Sequence, residues 1–172
     1  TALDANAALS QLQTATAGAD DGELFLERSR TESIVFDDGR VKNASYNGSE
    51  GFGLRAVRGE VAGYAHSSEI SEAAIARCVE TARLAVGEGG GVLADAPAGT
   101  NKKLYTDENP LDGIAFAAKV DTLAEIDAFA RALDPRIVQV SATLSASFQE
   151  VEIMRPDGAI TRDARPMARL NI

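Results

Sequence analysis

The sequence has very few of the residues that build metal centres and disulfides. Its 172 residues include one cysteine, Cys78, and one histidine, His66. A single cysteine excludes an internal disulfide and a cysteine-rich zinc site, and hydrolytic zinc centres ordinarily need two or three nitrogen ligands. There is also no HExxH pair and no GxSxG nucleophile elbow. The residues present therefore predict no catalytic, metal or cofactor site within this chain.

Basic residues and long apolar runs are scarce as well. Seventeen Lys and Arg stand against 26 Asp and Glu, which gives a net charge of -9 at pH 7. The basic residues are interleaved with acidic ones, so we expect no patch that binds nucleic-acid phosphates. No stretch has the length of a membrane span or the pattern of a signal peptide. The composition predicts a cytoplasmic protein that binds neither nucleic acid nor membrane.

The first part of the chain predicts one helix followed by several strands. Leu3 to Ala17 is rich in Ala, Leu and Gln, which favour a helix. Glu23 to His66 is rich in β-branched and aromatic residues and is interrupted by DDG, NGS and RGE. This composition predicts four strands with turns near residues 37–39, 48–51 and 58–60. Such short connections favour antiparallel pairing of neighbouring strands.

Two more helices are predicted in the middle of the chain. Apolar residues three or four apart predict a helix over Glu72 to Val86, with Ser71 as its N-cap and Gly87 as its end. After a connector from Val92 to Pro110, which we expect to be an ordered loop, a further helix is predicted from about Asp112 to Leu133. The predicted apolar side of that helix consists of Phe116, Val120, Leu123, Ala130 and Leu133.

The last part of the chain has the clearest strand pattern. Apolar and polar residues alternate from Val138 to Gln149, which predicts a strand with one buried and one hydrated face. The apolar residues then change parity, which predicts a bulge near residues 149–150. A turn at residues 156–158 leads into a last strand, in which Ala168, Leu170 and Ile172 alternate. Because that pattern is incomplete, we expect the domain to continue beyond Ile172.

The element order defines the predicted fold class. We predict one α+β domain over residues 1–172, with a mostly antiparallel meander sheet and helices segregated to one face, in the order α-ββββ-α-α-ββ(β).

Three features that suggest chemistry have simpler interpretations. Gly51 to Ala56 fits GxGxxA, but strand-forming residues follow it instead of the helix that a dinucleotide site requires. His66 is interpreted as a strand-end residue, although a small esterase built on it stays possible if a serine lies within hydrogen-bond reach. Cys78 falls on the apolar side of its helix, where burial would raise its pKa and reduce its reactivity.

The wording of several segments resembles a known family. These segments are GRVKNASYNGSEGFGLRAVRGEVAGYAHSSEIS, LYTDENPLDGI, VQVSATLSASFQEVEIMRPDG and ARPMARLNI. From about Asp21 to Ile172 they are similar, in order, to the N-terminal half of the TldD branch of the TldD/PmbA family. The most specific part is Ser45-Tyr46-Asn47 followed by Gly51-Phe-Gly-Leu-Arg55-Ala56.

This resemblance implies a cytoplasmic zinc metallopeptidase of the kind long labelled modulators of DNA gyrase. Such proteins act on unfolded or precursor peptides and form homodimers or pairs with a PmbA-type subunit. Their zinc site, an HExxxH helix plus a later cysteine, lies in the C-terminal half, so zinc is expected outside this chain. The chain alone is expected to be inactive.

Within this resemblance, the chain is expected to line a substrate channel and to pair subunits. The residues proposed to contact peptide or partner are Tyr46, Asn47, Arg55, Ser141, Thr143 and Ser145. The alternative is a non-enzymatic adaptor that regulates a partner such as a topoisomerase.

Overall fold

The computed structural model describes residues 3–87 and 105–172, so most of the predicted connector from Val92 to Pro110 lies outside the described residues. The described residues form three helices and five strands. They are α1 (Ala5–Ala15), β1 (Asp21–Asp37), β2 (Arg40–Arg58), β3 (Val61–Ser67), α2 (Glu72–Val86), α3 (Phe116–Leu133), β4 (Ser141–Met154) and β5 (Ile160–Asn171). The strands form one antiparallel sheet in the order β3-β2-β1-β4-β5. The predicted α+β class is confirmed.

Two of the three predicted turns in the strand region are confirmed. Asp38 and Gly39 have φ values of 52° and 76°, and Gly59 has a φ of 56°. Two-residue loops of tight antiparallel hairpins have a positive φ at both positions, as at Asp38 and Gly39, or at the first position alone, as at Gly59. β1 and β2 are therefore joined directly, as are β2 and β3.

The predicted turn at residues 48–51 is wrong, and the four predicted strands are three. β2 continues through Gly48 and Gly51, neither of which has a positive φ. A Cβ on Gly51 would lie 2.8 Å from the carbonyl oxygen of Ser67 on β3. The glycine is therefore needed for the close approach of a neighbouring strand, not for a change of chain direction.

The first two helices begin at residues whose side chains cap them. α1 begins after Asp4, whose carboxylate accepts hydrogen bonds from the amides of Asn6 and Ala7. α2 has the predicted bounds, and the Ser71 hydroxyl accepts the amide hydrogen of Ala74 at 3.1 Å. Its C-cap glycine, Gly87, has a φ of 73°.

The apolar side predicted for the third helix is only partly correct, because Leu123 is buried and Val120 packs against the same core whereas the two ends of the predicted side are exposed. α3 starts at Phe116, four residues after the predicted start, and it buries Lys119, Leu123 and Asp127. Phe116 and Leu133, which were expected to be buried, are 51% and 67% exposed. Two charged residues point inward because each has an ionic partner in the folded chain. Paired charges can be buried where unpaired ones cannot.

The last two strands follow the predicted pattern with a shifted start. β4 begins at Ser141, so residues 138–140 precede the strand. Its buried residues are Ala142 and Phe148 at even positions, Val151 at an odd position and Met154 again at an even position. The bulge predicted near residues 149–150 stays a prediction. The turn at residues 156–158 is confirmed, with Gly158 at a φ of 91°.

The chain divides into two compact units. The first unit consists of Thr1–Arg28, Ser49–Lys102 and Glu150–Asp163, and the second of Ser29–Gly48, Lys103–Gln149 and Ala164–Ile172. The first unit has a core formed by α1, α2, β3 and parts of three longer strands, with Leu12, Leu24, Leu54, Ile75 and Met154 almost fully buried. The second has a smaller core of Ile34, Phe36, Leu123 and Ala142. The single domain expected from the sequence stays a prediction.

Candidate functional site

The sheet of the second unit has one face covered by α3 and one polar face. Leu123 of α3 packs against Ile34 and Phe36 of β1 and against Ala142 of β4. Because side chains alternate along a strand, residues at the odd positions between them lie on the opposite side of the sheet. We define the hydroxyl face as Ser33, Ser141, Thr143 and Ser145.

Two hydroxyl groups of this face, on neighbouring strands, are close to each other. The oxygen atoms of Ser33 and Ser145 are 3.4 Å apart, which joins β1 and β4 on that side. Ser141 is exposed, and Thr143 and Ser145 are half-buried. Each hydroxyl donates one hydrogen bond and accepts others without carrying charge. This arrangement suits hydrogen bonding to a polar ligand. Ser145 is not arranged as a nucleophile, since its hydroxyl pairs with the hydroxyl of Ser33 and not with a base.

The structure brings Tyr46, but not Asn47, to the side of the hydroxyl face. The ammonium group of Lys42 lies 3.6 Å from a carboxylate oxygen of Asp37. Asp37 and Ser33 are both at odd positions of β1, so their side chains lie on the same side of the sheet. Alternation along β2 then places Tyr46 on that side and Asn47 on the other. The Tyr46 side chain is 57% exposed.

Arg55 belongs to the first unit and takes part in an ion network there. Its guanidinium lies 3.1 Å from Asp21 and 3.4 Å from Glu23. The other carboxylate oxygen of Asp21 accepts a hydrogen bond from Arg155 at 3.1 Å. Two carboxylates thus neutralise much of the charge that would attract a ligand to Arg55. The geometry supports a structural role for this arginine.

The remaining features of interest also lie in the first unit. Gly51 to Ala56 is inside β2 and not at a strand-to-helix junction, so it cannot present a helix N-terminus to a phosphate. His66 is exposed, its ring centroid is 5.8 Å from that of Tyr64, and in the described residues no serine is hydrogen-bonded to it. Cys78 is buried, and this burial raises the pKa of its thiol although the nearby Arg77 acts in the opposite direction. The prediction of an unreactive thiol is supported.

The described residues do not fit a zinc centre. Across residues 3–87 and 105–172, no three side chains of His, Cys, Asp or Glu are grouped so that they could hold a metal ion. In the same ranges, no helix is both long and apolar enough to cross a membrane.

Sequence reasoning missed the buried charges under α3. The ammonium of Lys119 donates to the Glu32 carboxylate at 2.7 Å and to the Leu111 carbonyl at 3.1 Å. Lys119, Leu123 and Asp127 follow one another at intervals of four, so they occupy one side of the helix. The spacing can be seen in the sequence, but the lysine can be buried only because Glu32, 87 residues away in the sequence, lies next to it in the folded chain.

A second missed feature is the apolar outer surface of α3. Phe129 and Leu133 are both 67% exposed, and their spacing of four residues places them next to each other on α3. We call these two residues the α3 apolar patch. Large apolar side chains clustered on a surface ordinarily mark a contact with another protein or segment.

Two segments of the chain match domains of one family. Residues 22–86 match the PmbA/TldA metallopeptidase domain 1, and residues 109–172 match the PmbA/TldA metallopeptidase central domain. The chain therefore belongs to the PmbA/TldD metallopeptidase family, and the resemblance noted in the sequence is confirmed.

Individual relatives agree with this assignment. The chain is 35% identical over 156 residues to a metalloprotease TldD homolog of Haemophilus influenzae and 31% identical over 154 residues to one of Buchnera aphidicola. Each alignment covers 89% of this chain but 32% of the relative. The chain thus spans about a third of the length of the curated relatives it matches.

Solved structures share the fold at low sequence identity. TldE from Thermococcus kodakarensis superimposes with a TM-score of 0.71 and 15% identity, covering 95% of this chain and 38% of that protein. A Thermotoga maritima protein described as a candidate modulator of a DNA gyrase gives a TM-score of 0.71 and 12% identity, covering 87% of this chain and 34% of that one. At these identities the likeness concerns the fold alone.

Proposed function

We propose that this chain is the part of a TldD-like metallopeptidase that holds extended peptides and contacts a second subunit. Zinc binding and peptide cleavage are assigned to parts of the protein other than the residues described above. The observation that carries the proposal is the hydroxyl face, a hydrogen-bonding surface on the side of the sheet opposite α3.

The chemistry of this face suits ligands of varied sequence. Neutral hydroxyls bond to peptide N–H and C=O groups, which every peptide has, and discriminate little between side chains. The second unit contains ten acidic and nine basic residues, so most of the net charge of the chain belongs to the first unit. A nearly neutral unit imposes little selection on the charge of a ligand.

Removal of single hydroxyls tests the peptide-holding role. We expect Thr143→Val to weaken binding of a fluorescein-labelled unfolded peptide by about three- to tenfold, since one hydrogen bond contributes roughly 0.5–1.5 kcal/mol. Fluorescence anisotropy measures the affinity. The matched control is Thr122→Val, because that hydroxyl donates to the Ala118 carbonyl within α3. Equal affinities for all three proteins would contradict the proposal.

The α3 apolar patch supports the proposed subunit contact. A second copy of the chain or a PmbA-type subunit would remove Phe129 and Leu133 from water, which is favourable at about 25 cal/mol per Å². We expect Phe129→Glu to shift the mass measured by sedimentation velocity towards the monomer, alone or with the partner subunit. Tyr64→Glu is the control, since Tyr64 has a similar exposure, 61%, but lies in the first unit. An unchanged mass for Phe129→Glu would argue against the contact.

The same patch also favours the second candidate function, a non-enzymatic adaptor. Two of the similar solved structures are described as candidate modulators of DNA gyrase. An adaptor would alter gyrase supercoiling in a purified assay without any peptide being cleaved, and Phe129→Glu would abolish that effect. A peptidase part would leave supercoiling unchanged.

A further inference from the structure

A cavity of about 190 Å³ lies in the first unit, where α1, α2 and β2 end. Its walls are formed by Ala15, Ala17, Ala19, Arg58, Arg83, Val86 and Gly87. Two of these residues are positively charged, and the other five have small or apolar side chains without charge. The volume is below the roughly 300 Å³ at which sites for drug-sized ligands begin, so the cavity suits a small ligand. We call it the arginine cavity.

The two arginines of this cavity differ from the other basic residues of the first unit. That unit contains sixteen acidic and eight basic residues, so carboxylates are in excess. Each of the other described basic residues of the unit has a carboxylate partner, namely Arg28, Arg55, Arg77, Arg155 and Arg162. Arg58 and Arg83 have no such partner among the described residues. Both guanidiniums that lack a carboxylate therefore line the same cavity.

Arg58 is held in place by the ends of the two helices. Its Nε donates to the Gly18 carbonyl at 3.2 Å, and its Nη1 donates to the Val86 carbonyl at 3.3 Å. Carbonyls at helix C-terminal ends carry partial negative charge, which would repel an anion. The Arg58 guanidinium offsets this charge. Since a guanidinium has five N–H donors, some of them stay available to a ligand.

Arg83 reaches the arginine cavity from the last turn of α2. The amide of Gly87, another wall residue, donates to the Arg83 carbonyl at 3.0 Å, so the arginine lies one helical turn before it. Arg83 is exposed, and its guanidinium has no hydrogen bond or ion pair with any described residue. An anion in the cavity would thus meet one fixed guanidinium and one that is free to turn towards it.

We propose that the arginine cavity binds a phosphate group between the guanidiniums of Arg58 and Arg83. Guanidiniums bind phosphate oxygens through forked, charge-assisted hydrogen bonds. A phosphate monoester carries a charge of about -1.5 to -2 at pH 7 and has three acceptor oxygens, so it matches two positive charges better than a carboxylate does. The inference goes beyond the proposed function, because the cavity lies in the first unit and the hydroxyl face in the second.

Titration of the ¹⁵N-labelled full chain with inorganic phosphate, followed by NMR, tests the site. We expect the amide signals of residues 17–19 and 86–87 to shift in a saturable way, with a dissociation constant on the order of 1 mM. Sodium chloride at the same ionic strength is the reference, because salt screens exposed charges. At about 20 mM phosphate such a site would be about 95% occupied. Absence of a saturable shift at that concentration would overturn the proposal.

Removal of the exposed guanidinium tests the role of Arg83. We expect Arg83→Gln to weaken phosphate binding at least about tenfold, since hydrogen bonds between charged groups are lost. Arg77→Gln is the matched control, because Arg77 is an exposed arginine of the same helix that pairs with Glu69 at 3.3 Å and does not line the cavity. Its affinity should be unchanged. Equal weakening by the two substitutions would show only a general charge effect and would overturn the proposal.

Replacement of arginine by lysine tests the forked geometry. Arg58→Lys keeps the charge but loses the paired donors, so phosphate binding should weaken by about three- to tenfold. Circular dichroism reports whether this variant is folded, since Arg58 also bonds to both helix ends. If it is unfolded, Arg83→Lys provides the same comparison at an exposed position. An unchanged affinity in the folded variant would contradict binding by two guanidinium forks.

Two other anions identify the ligand. Acetate is the carboxylate probe, and we expect it to bind at least about tenfold more weakly than phosphate because it has one charge and two oxygens. Equal affinity for acetate would identify a carboxylate as the ligand and overturn the assignment. Glycerol phosphate is the monoester probe. If it binds at least as tightly as inorganic phosphate, the ligand is a phosphate monoester, and if it binds more weakly, the ligand is the free ion; both results support the phosphate site.

Discussion

The buried ion pair between Lys119 and Glu32 permits a sharp prediction about what holds α3 on the sheet. The Lys119 side chain is 5% exposed and that of Glu32 16%, and their charged atoms are 2.7 Å apart. The ammonium also donates to the carbonyl of Leu111, in the segment just before the helix. One side chain thus links α3, β1 and the segment that leads into α3.

Removing one partner should cost much more than removing both. Lys119→Met leaves a nearly buried carboxylate and the Leu111 carbonyl without their donor, and breaking a buried pair costs about 3–5 kcal/mol. Replacing both residues, in Lys119→Met with Glu32→Leu, leaves no buried charge, and such replacements are often neutral or stabilising. We expect the double variant to lie within about 1 kcal/mol of the original chain.

Urea unfolding followed by circular dichroism measures these differences. For a chain of this length, a loss of 3 kcal/mol also lowers the melting temperature by roughly 6–12 °C. The two single substitutions and the double form a cycle whose coupling energy isolates the pair. If the double variant were as unstable as the sum of the two single ones, the ion pair would not be what positions Lys119, and our account of the inward side of α3 would fail.

Three further predictions concern residues of the first unit, and the control for the first of them, Gly48, lies in the second unit. Gly63→Ala should destabilise the chain by about 1–3 kcal/mol in the same unfolding assay, because a Cβ there would lie 2.3 Å from a backbone oxygen of α2. The control is Gly48→Ala, which should have little effect because the nearest atom to its Cβ would be 3.9 Å away. Cys78 should react with a thiol reagent at pH 8 at least about a hundredfold more slowly in the folded chain than in urea, since its buried thiol must be exposed first and its pKa is raised; equal rates would contradict its burial. The pKa of Glu69 is lowered from 4.5, first by the hydrogen bond from the Ser71 hydroxyl, so its contribution to stability is complete above about pH 4.5 and is lost as the pH falls through the lower folded value. Glu69→Gln should therefore flatten the acid limb of the stability curve, and an unaltered limb would exclude this linkage.

Elements with strong local signals could be predicted from the sequence. α2 has the predicted bounds because Ser71 supplies a hydrogen-bonded cap and Gly87 adopts the left-handed conformation at the other end. The hydrated side of β4 was also predictable, since period two over many residues identifies two faces whatever the strand pairs with. Thr143 and Ser145 lie on the expected face for this reason.

Features that depend on distant residues could not be predicted in this way. The glycines of β2 resemble turn residues until the closeness of β3 is known. The inward side of α3 depends on Glu32, which is 87 residues away from Lys119 in the sequence. Hydrophobicity favours Phe116 over Lys119 for burial, and the buried Lys119 is compensated by partners that are not next to it in the sequence.

The unequal lengths of β2 and β3 show how tertiary pairing can depend on strand length alone. β2 has 19 residues and β3 only seven, and β3 pairs with the C-terminal end of β2. Backbone groups of the other end of β2 must then bond to water or to another chain, because each exposed N–H and C=O needs a partner. The sequence of either strand alone does not show this difference in length, since composition indicates where a strand ends but not which strand it pairs with. Among the described residues, the mismatch places unpaired main-chain groups in the same unit as a face of neutral hydroxyls.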